Sequence, residues 1–179
     1  MKSKLYQIVV PFTPLTKNKK KNIIDSEYLY GEDFHVLSSV GIYSYGISCE
    51  DNYEGWIKSN ALGLINTNNY LVSSLRTCVL SEPNVKSKLV FFLTMRSTIN
   101  VIEIIDNWAK INLPQKYKLK YGYILKSHIM KKSDIKLDWI KYAENFLDTP
   151  YRWGGRNSFG IDCSALLQLS KSFVGEKIP

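Results

Sequence analysis

Short runs of β-branched and aromatic residues, broken by polar turns, fill the chain up to about residue 130, and this alternation predicts strands. One group of runs covers 28–37, 42–47 and 51–59; a second covers 89–93, 99–104, 108–111 and 121–127. Both close on glycine, an aromatic residue and isoleucine, Gly55-Trp56-Ile57 and Gly122-Tyr123-Ile124, with Lys58-Ser59 or Lys126-Ser127 directly after. The two groups therefore read as a repeat of small β-units, each of about five short strands in roughly 45–60 residues. After the Lys131-Lys132-Ser133 linker the period changes. Ile135, Trp139, Ala143, Phe146 and Leu147 recur every three or four positions, which predicts a helix capped by Ser133 or Asp134 and stopped by Thr149-Pro150. A second helix is expected near 163–173, with Cys163, Leu166, Leu167, Ser170 and Val174 on one side, Ala165, Leu169 and Phe173 on another, and Gly175 as its stop. The expected division is 1–22 as an N-terminal segment, 23–66 and 70–130 as the two β-units, and 134–179 as a partly helical unit.

Candidate chemistry lies between the two helices. The run Pro150-Tyr151-Arg152-Trp153-Gly154-Gly155 leads through a polar stretch to Asp162-Cys163-Ser164-Ala165-Leu166-Leu167-Gln168, with Tyr151 twelve residues before Cys163. This places a thiol in the first turn of an apolar helix, where unpaired N–H groups and the positive end of the helix dipole favour thiolate over thiol. A buried cysteine behaving as a small hydrophobe is the plainer reading of an isolated Cys, and an N-cap pair is the plainer reading of Asp162 and Ser164. A tight turn accounts for Gly154 and Gly155 but not for Tyr151 and Trp153.

The same run resembles the NlpC/P60 family of papain-like cysteine peptidases, which cleave bacterial cell-wall peptides; the family usually has glycine where this chain has Ala165. The two β-units resemble bacterial SH3-like domains, in which a strand beginning Gly-Trp or Gly-Tyr ends the barrel. The fold so implied is α+β, two small SH3-like β-barrels followed by the N-terminal part of a papain-like NlpC/P60 domain. The resemblance implies that Cys163 is the nucleophile, Tyr151 the aromatic hydroxyl beside it, and Asp162 and Ser164 flanking residues that shape the cleft or contact substrate. It further implies hydrolysis of murein peptides after γ-D-glutamate, with Tyr53 and Glu32 of the first barrel contacting the free amine of an N-terminal L-alanine.

A catalytic cysteine needs a base, normally a histidine. None follows Cys163 in the sixteen residues to Pro179, and the two histidines, His35 and His128, lie upstream in β-patterned stretches without an accompanying motif. Both read as structural. In the family the histidine lies several tens of residues after the cysteine. The chain is thus expected to carry only part of a catalytic domain, inactive by itself, with Leu166, Leu167, Leu169 and Phe173 lacking the sheet that would cover them.

An apolar share of 45% with 13% aromatic residues excludes a largely disordered chain. No stretch reaches the roughly eighteen consecutive apolar residues of a membrane helix. The apolar run Ile8-Val9-Val10 is cut by Pro11, so no secretory signal is expected and a cytoplasmic setting fits. Cys49, Cys78 and Cys163 are an odd set at unrelated spacings, which points to neither a zinc site nor a disulfide framework, and no metal or cofactor is expected. The net charge of +8 draws on Lys17, Lys19, Lys20, Lys21, Lys131 and Lys132, read as solvated loop rather than a nucleic-acid surface. Two other function classes stay open: a wall-peptide or protein-binding module with a vestigial catalytic segment, and a papain-like acyltransferase.

Overall fold

The computed structural model describes residues 4–18, 23–134 and 138–178. It is mostly β. The first unit contains β1 (Lys4–Ile8), β2 (Phe12–Leu15), β3 (Ser26–Leu29), β4 (Asp33–Val40), β5 (Tyr43–Ser48), β6 (Glu54–Lys58) and β7 (Leu62–Gly63). Five of these form an antiparallel sheet in the order β6-β5-β4-β1-β7, while β2 and β3 pair as a separate hairpin. A bridge from Thr16 to Trp56 ties that hairpin to β6. Alternation along the strands turns Ile8, Leu15, Tyr28, Phe34 and Ile57 into one core. The expected boundary at residue 22 cuts through this unit, because β1 pairs with β4 from Lys4↔Val36 to Gln7↔Asp33. Lys19, Lys20 and Lys21, expected as solvated loop, lie outside the described residues.

The second unit contains β8 (Tyr70–Val72), β9 (Arg76–Leu80), β10 (Leu89–Thr94), β11 (Thr98–Ile99), β12 (Val101–Ile105), β13 (Trp108–Asn112), β14 (Tyr121–Leu125) and β15 (Ile129–Lys131). Its sheets run β10-β9-β14-β13-β12 and β11-β8-β15. The expectation of barrels is thus met only in part: in neither five-stranded sheet do the two edge strands pair with each other, and a smaller ladder completes each unit. Val72, Val79, Leu93, Ile99, Ile111 and Ile124 fill the second core, and Tyr30 of the first unit is buried among them. Thr98 donates its N–H to Tyr30 O at 2.9 Å and its hydroxyl to Gly31 O at 2.9 Å. Gly31 is obligatory at this seam. Its φ is +83°, and a Cβ there would lie 2.0 Å from Thr98 O.

The helical unit departs from expectation in two ways. The first helix, α1 (Trp139–Glu144), is only six residues long and is capped by Asp138, whose side chain accepts from Ile140 N; Ile135 lies outside the described residues. The second helix, α2 (Cys163–Ser172), begins at the expected residue, and Gly175 at φ +80° follows its end. The buried face of α2 is covered by the β-units. Leu169 and Phe173 are buried with Leu29, Leu71, Met95, Phe146 and Ile161, and Tyr142 of α1 stacks on Phe173 at 4.0 Å. The expectation that Leu169 and Phe173 lack cover is therefore corrected. It assumed that only chain beyond the helix could enclose it, whereas strands far earlier in sequence do so. Leu167 remains 38% exposed and Leu166 is partly buried.

Candidate active site

Cys163 is the first residue of α2, and its side chain is exposed. What holds it there is a loop folded back on itself. A short hairpin of β16 (Arg156–Asn157) and β17 (Gly160–Ile161) ends directly before Asp162. Tyr151 forms a parallel bridge with Ile161, Arg152 N donates to Ile161 O at 3.1 Å, and Ile161 N donates to Pro150 O at 3.1 Å. Gly154 takes φ +67° beside Ile24, where a Cβ would meet Ile24 O at 2.7 Å. Asp162 joins the pieces. Its Oδ1 accepts from Ala165 N at 2.8 Å, the N-cap bond, and from the Ser164 hydroxyl at 2.7 Å. Its Oδ2 accepts from Gly154 N at 3.1 Å. Asp162 and Ser164 thus fulfil the cap geometry expected of them while fixing the glycine loop to the helix start.

Two cavities flank the thiol. One, of about 210 Å³, is walled by Tyr151, Trp153, Asp162, Cys163 and Ser164 and, from the first β-unit, by Asp25 and Tyr53. The other, of about 300 Å³, is more apolar and runs from Cys163 and Tyr151 along Phe146, Leu147 and Leu166. The fold therefore brings together Cys163, Tyr151, Asp162, Ser164 and Tyr53. It does not bring Glu32 to them, nor do His35 and His128 line either cavity. His35 sits in β4 opposite Ile47, and His128 Nδ1 is 2.9 Å from the Thr77 hydroxyl.

Glu32 has a different task from the substrate contact expected of it. It is 4% exposed, and both its oxygens accept from the Arg156 guanidinium, at 2.7 and 2.8 Å. Leu29 N adds a third bond, at 2.8 Å. Burial pushes the Glu32 carboxyl above the usual carboxylate range, opposed by the Arg156 charge and these hydrogen bonds. Burial also works against the Arg156 charge, but the Glu32 carboxylate more than restores it. Beside this pair, Glu27 Oε2 accepts from Arg156 N at 3.0 Å, from Asn157 Nδ2 at 2.6 Å and from the Arg152 guanidinium. Two carboxylates of the first β-unit thus anchor the loop that presents the cysteine. Sequence reasoning missed Glu27, Arg156 and the cleft residue Asp25. No motif marks them, because their roles exist only once β3 lies beside β16.

Comparison with known proteins agrees with this architecture. The model of the bacterial dipeptidyl-peptidase SH3 domain matches residues 16–62. The chain is 23% identical over 164 residues to dipeptidyl-peptidase 6 of Lysinibacillus sphaericus, covering 80% of this chain and 59% of that relative, so it spans little more than half the relative's length. Among solved structures, an NlpC/P60 family protein from Bacillus cereus superposes with a TM-score of 0.83 at 17% identity, over 98% of this chain and 74% of that one. That likeness shows a shared fold.

Proposed function

We propose that the chain belongs to a cysteine peptidase that hydrolyses murein-derived peptides at the bond following γ-D-glutamate. The observation that carries this reading is the exposed Cys163 at the start of α2, set between Tyr151 on its own loop and Tyr53 and Asp25 on the first β-unit. The thiolate attacks the γ-carbonyl carbon, and first-turn N–H groups of α2 are suitable donors to the resulting oxyanion. A base takes the thiol proton and, as its conjugate acid, returns it to the leaving amine; we assign this role to a histidine outside residues 1–179, since neither His35 nor His128 lines the cleft. Water then cleaves the thioester and regenerates the thiol. Asp25 replaces Glu32 as the carboxylate available to a free α-amine, with the Tyr53 side chain as its neighbour in the cleft wall. This recognition supports a preference for peptides with an unblocked N-terminal L-alanine.

The test uses the full-length gene product on L-Ala-γ-D-Glu-diaminopimelate. Turnover is expected in the wild type and absent in Cys163→Ala, and Asp25→Asn should lower discrimination between free and N-acetylated peptide. Retained turnover in Cys163→Ala overturns the mechanism. Undiminished discrimination in Asp25→Asn overturns the assignment of the amine contact alone.

A further inference from the structure

A third cavity, of about 330 Å³, lies at the far end of α2 from Cys163, between the helix terminus and the second β-unit. Ten helical residues separate the two ends, about 15 Å. Four cations stand on its wall, Arg96, Lys131, Lys132 and Lys177, together with the apolar side chains of Leu71, Met130 and Phe173. The carboxylates on that wall are Glu50 and Glu176, and Glu176 is held by Lys171 at 2.7 Å. Among the described residues, no carboxylate oxygen lies within 4.0 Å of any of the four cations.

Arg96 is built into this position at a cost. It adopts φ +75°, a conformation in which glycine or asparagine is unstrained and other residues are not. Its Nε donates to the Ser172 hydroxyl at 2.5 Å, and Ser172 in turn donates to Leu169 O at 2.6 Å. The guanidinium carbon stands 6.0 Å from the Phe173 ring centre. The guanidinium is thereby held by one nitrogen, and the remaining N–H groups have no acceptor among the described residues. Burial pulls the Lys132 ammonium below its usual range, and the Arg96 charge adds to the effect. Burial likewise lowers Arg96, with Glu50 opposing the shift. Cations near a helix C-terminus do complement its dipole, but that is a weak, screened effect. It does not require an arginine in a strained turn. A half-buried arginine held by one nitrogen, with an exposed lysine on the same wall and no contacting counter-charge among the described residues, is suited to hold an anion.

We propose that this cavity binds a small organic anion, with a phosphate or carboxylate head between Arg96 and Lys132 and an apolar body against Leu71, Met130 and Phe173. Isothermal titration of the full-length protein with phenyl phosphate, benzoate and inorganic phosphate, at constant ionic strength, tests it. Saturable binding of phenyl phosphate or benzoate is expected, tighter than that of inorganic phosphate, which lacks the apolar body. Which of the two organic probes binds tighter distinguishes a phosphate head from a carboxylate. Lys132→Gln should weaken binding about tenfold, the factor for losing one hydrogen bond to a charged group. Lys132 Nζ has no hydrogen-bond or ion-pair partner among the described residues, so that variant should fold normally even if Arg96→Gln disturbs the end of α2. No saturable binding to the wild type, or unchanged binding in Lys132→Gln and Arg96→Gln, overturns the proposal.

Discussion

Glu32→Ala should be among the most damaging single changes in this protein although it touches no substrate. It strands the Arg156 guanidinium in a fully buried site. Removing one partner of a buried ion pair costs about 3–5 kcal/mol, against a whole-domain stability of roughly 5–15 kcal/mol. Arg156 keeps Gln168 Oε1 at 3.3 Å and Glu27 O at 3.5 Å, both long, so the lower part of that range is expected. The opposite deletion is not equivalent. Arginine cannot shed its charge, whereas a glutamate whose carboxyl is already raised by burial can take up a proton. Arg156→Met should therefore cost less than Glu32→Ala, and its cost should shrink on acidification. A carboxyl with a folded pKa above its unfolded value stabilises the fold at low pH and loses that contribution as pH rises through the folded pKa. Glu32→Ala lacks that group while the wild type carries it, so its cost should grow rather than shrink on acidification. The double variant Glu32→Ala/Arg156→Met should recover part of the loss, since no uncompensated charge is left buried. Urea unfolding of the four proteins at pH 7 and pH 5 gives the full cycle. A cost below about 1 kcal/mol for Glu32→Ala, or additive single effects where contacting residues normally couple by about 0.5–3 kcal/mol, would refute the reasoning.

Other perturbations test other joints. Asp162→Ala should lower stability by roughly 0.5–2 kcal/mol through loss of the N-cap, and Asp162→Asn by less, since asparagine also caps; urea midpoints report both. Gly31→Ala combines a positive φ with a Cβ placed 2.0 Å from Thr98 O, so a loss of at least about 1–3 kcal/mol is expected, read from thermal melts. Leu169→Ala should cost about 2–5 kcal/mol, and amides across 165–172 should exchange slowly in the wild type, unlike those of a helix end without cover. Burial pushes the Tyr117 phenol up to about 12, and its hydroxyl donates to Val9 O at 3.0 Å. Its contribution is present below pH 10 and lost as pH rises towards 12, so an alkaline titration of stability should be shallower in Tyr117→Phe.

The parts of this molecule legible in its sequence were those set by local rules. The period-two runs marked most of the strands, Asp162 marked the start of α2, and Gly175 marked its end, because a cap and a left-handed stop each depend on a few neighbouring residues. The run from Pro150 to Gln168 carried the cysteine and Tyr151 for the same reason. What depends on distant contacts was not legible. β1 and β2 lay unrecognised in the first 22 residues because short strands interrupted by prolines show no clear alternation. The covering of Leu169 and Phe173 comes from Leu29, Leu71 and Met95, far away along the chain. Glu32 is expected from the resemblance to contact a substrate amine, and only its partner 124 residues on makes it a core residue.

The anchoring of the cysteine loop by Glu27 and Glu32 also bears on how such a protein can be rearranged over evolutionary time. A module whose buried arginine is neutralised from within can be moved between neighbours as an independent cassette. Here the countercharge for Arg156 and the acceptor for Arg152, Arg156 N and Asn157 belong to the first β-unit. The cysteine segment cannot be grafted onto an unrelated partner without leaving a cation and several donors unmet in the interior. The two pieces are constrained to be inherited, lost or exchanged together.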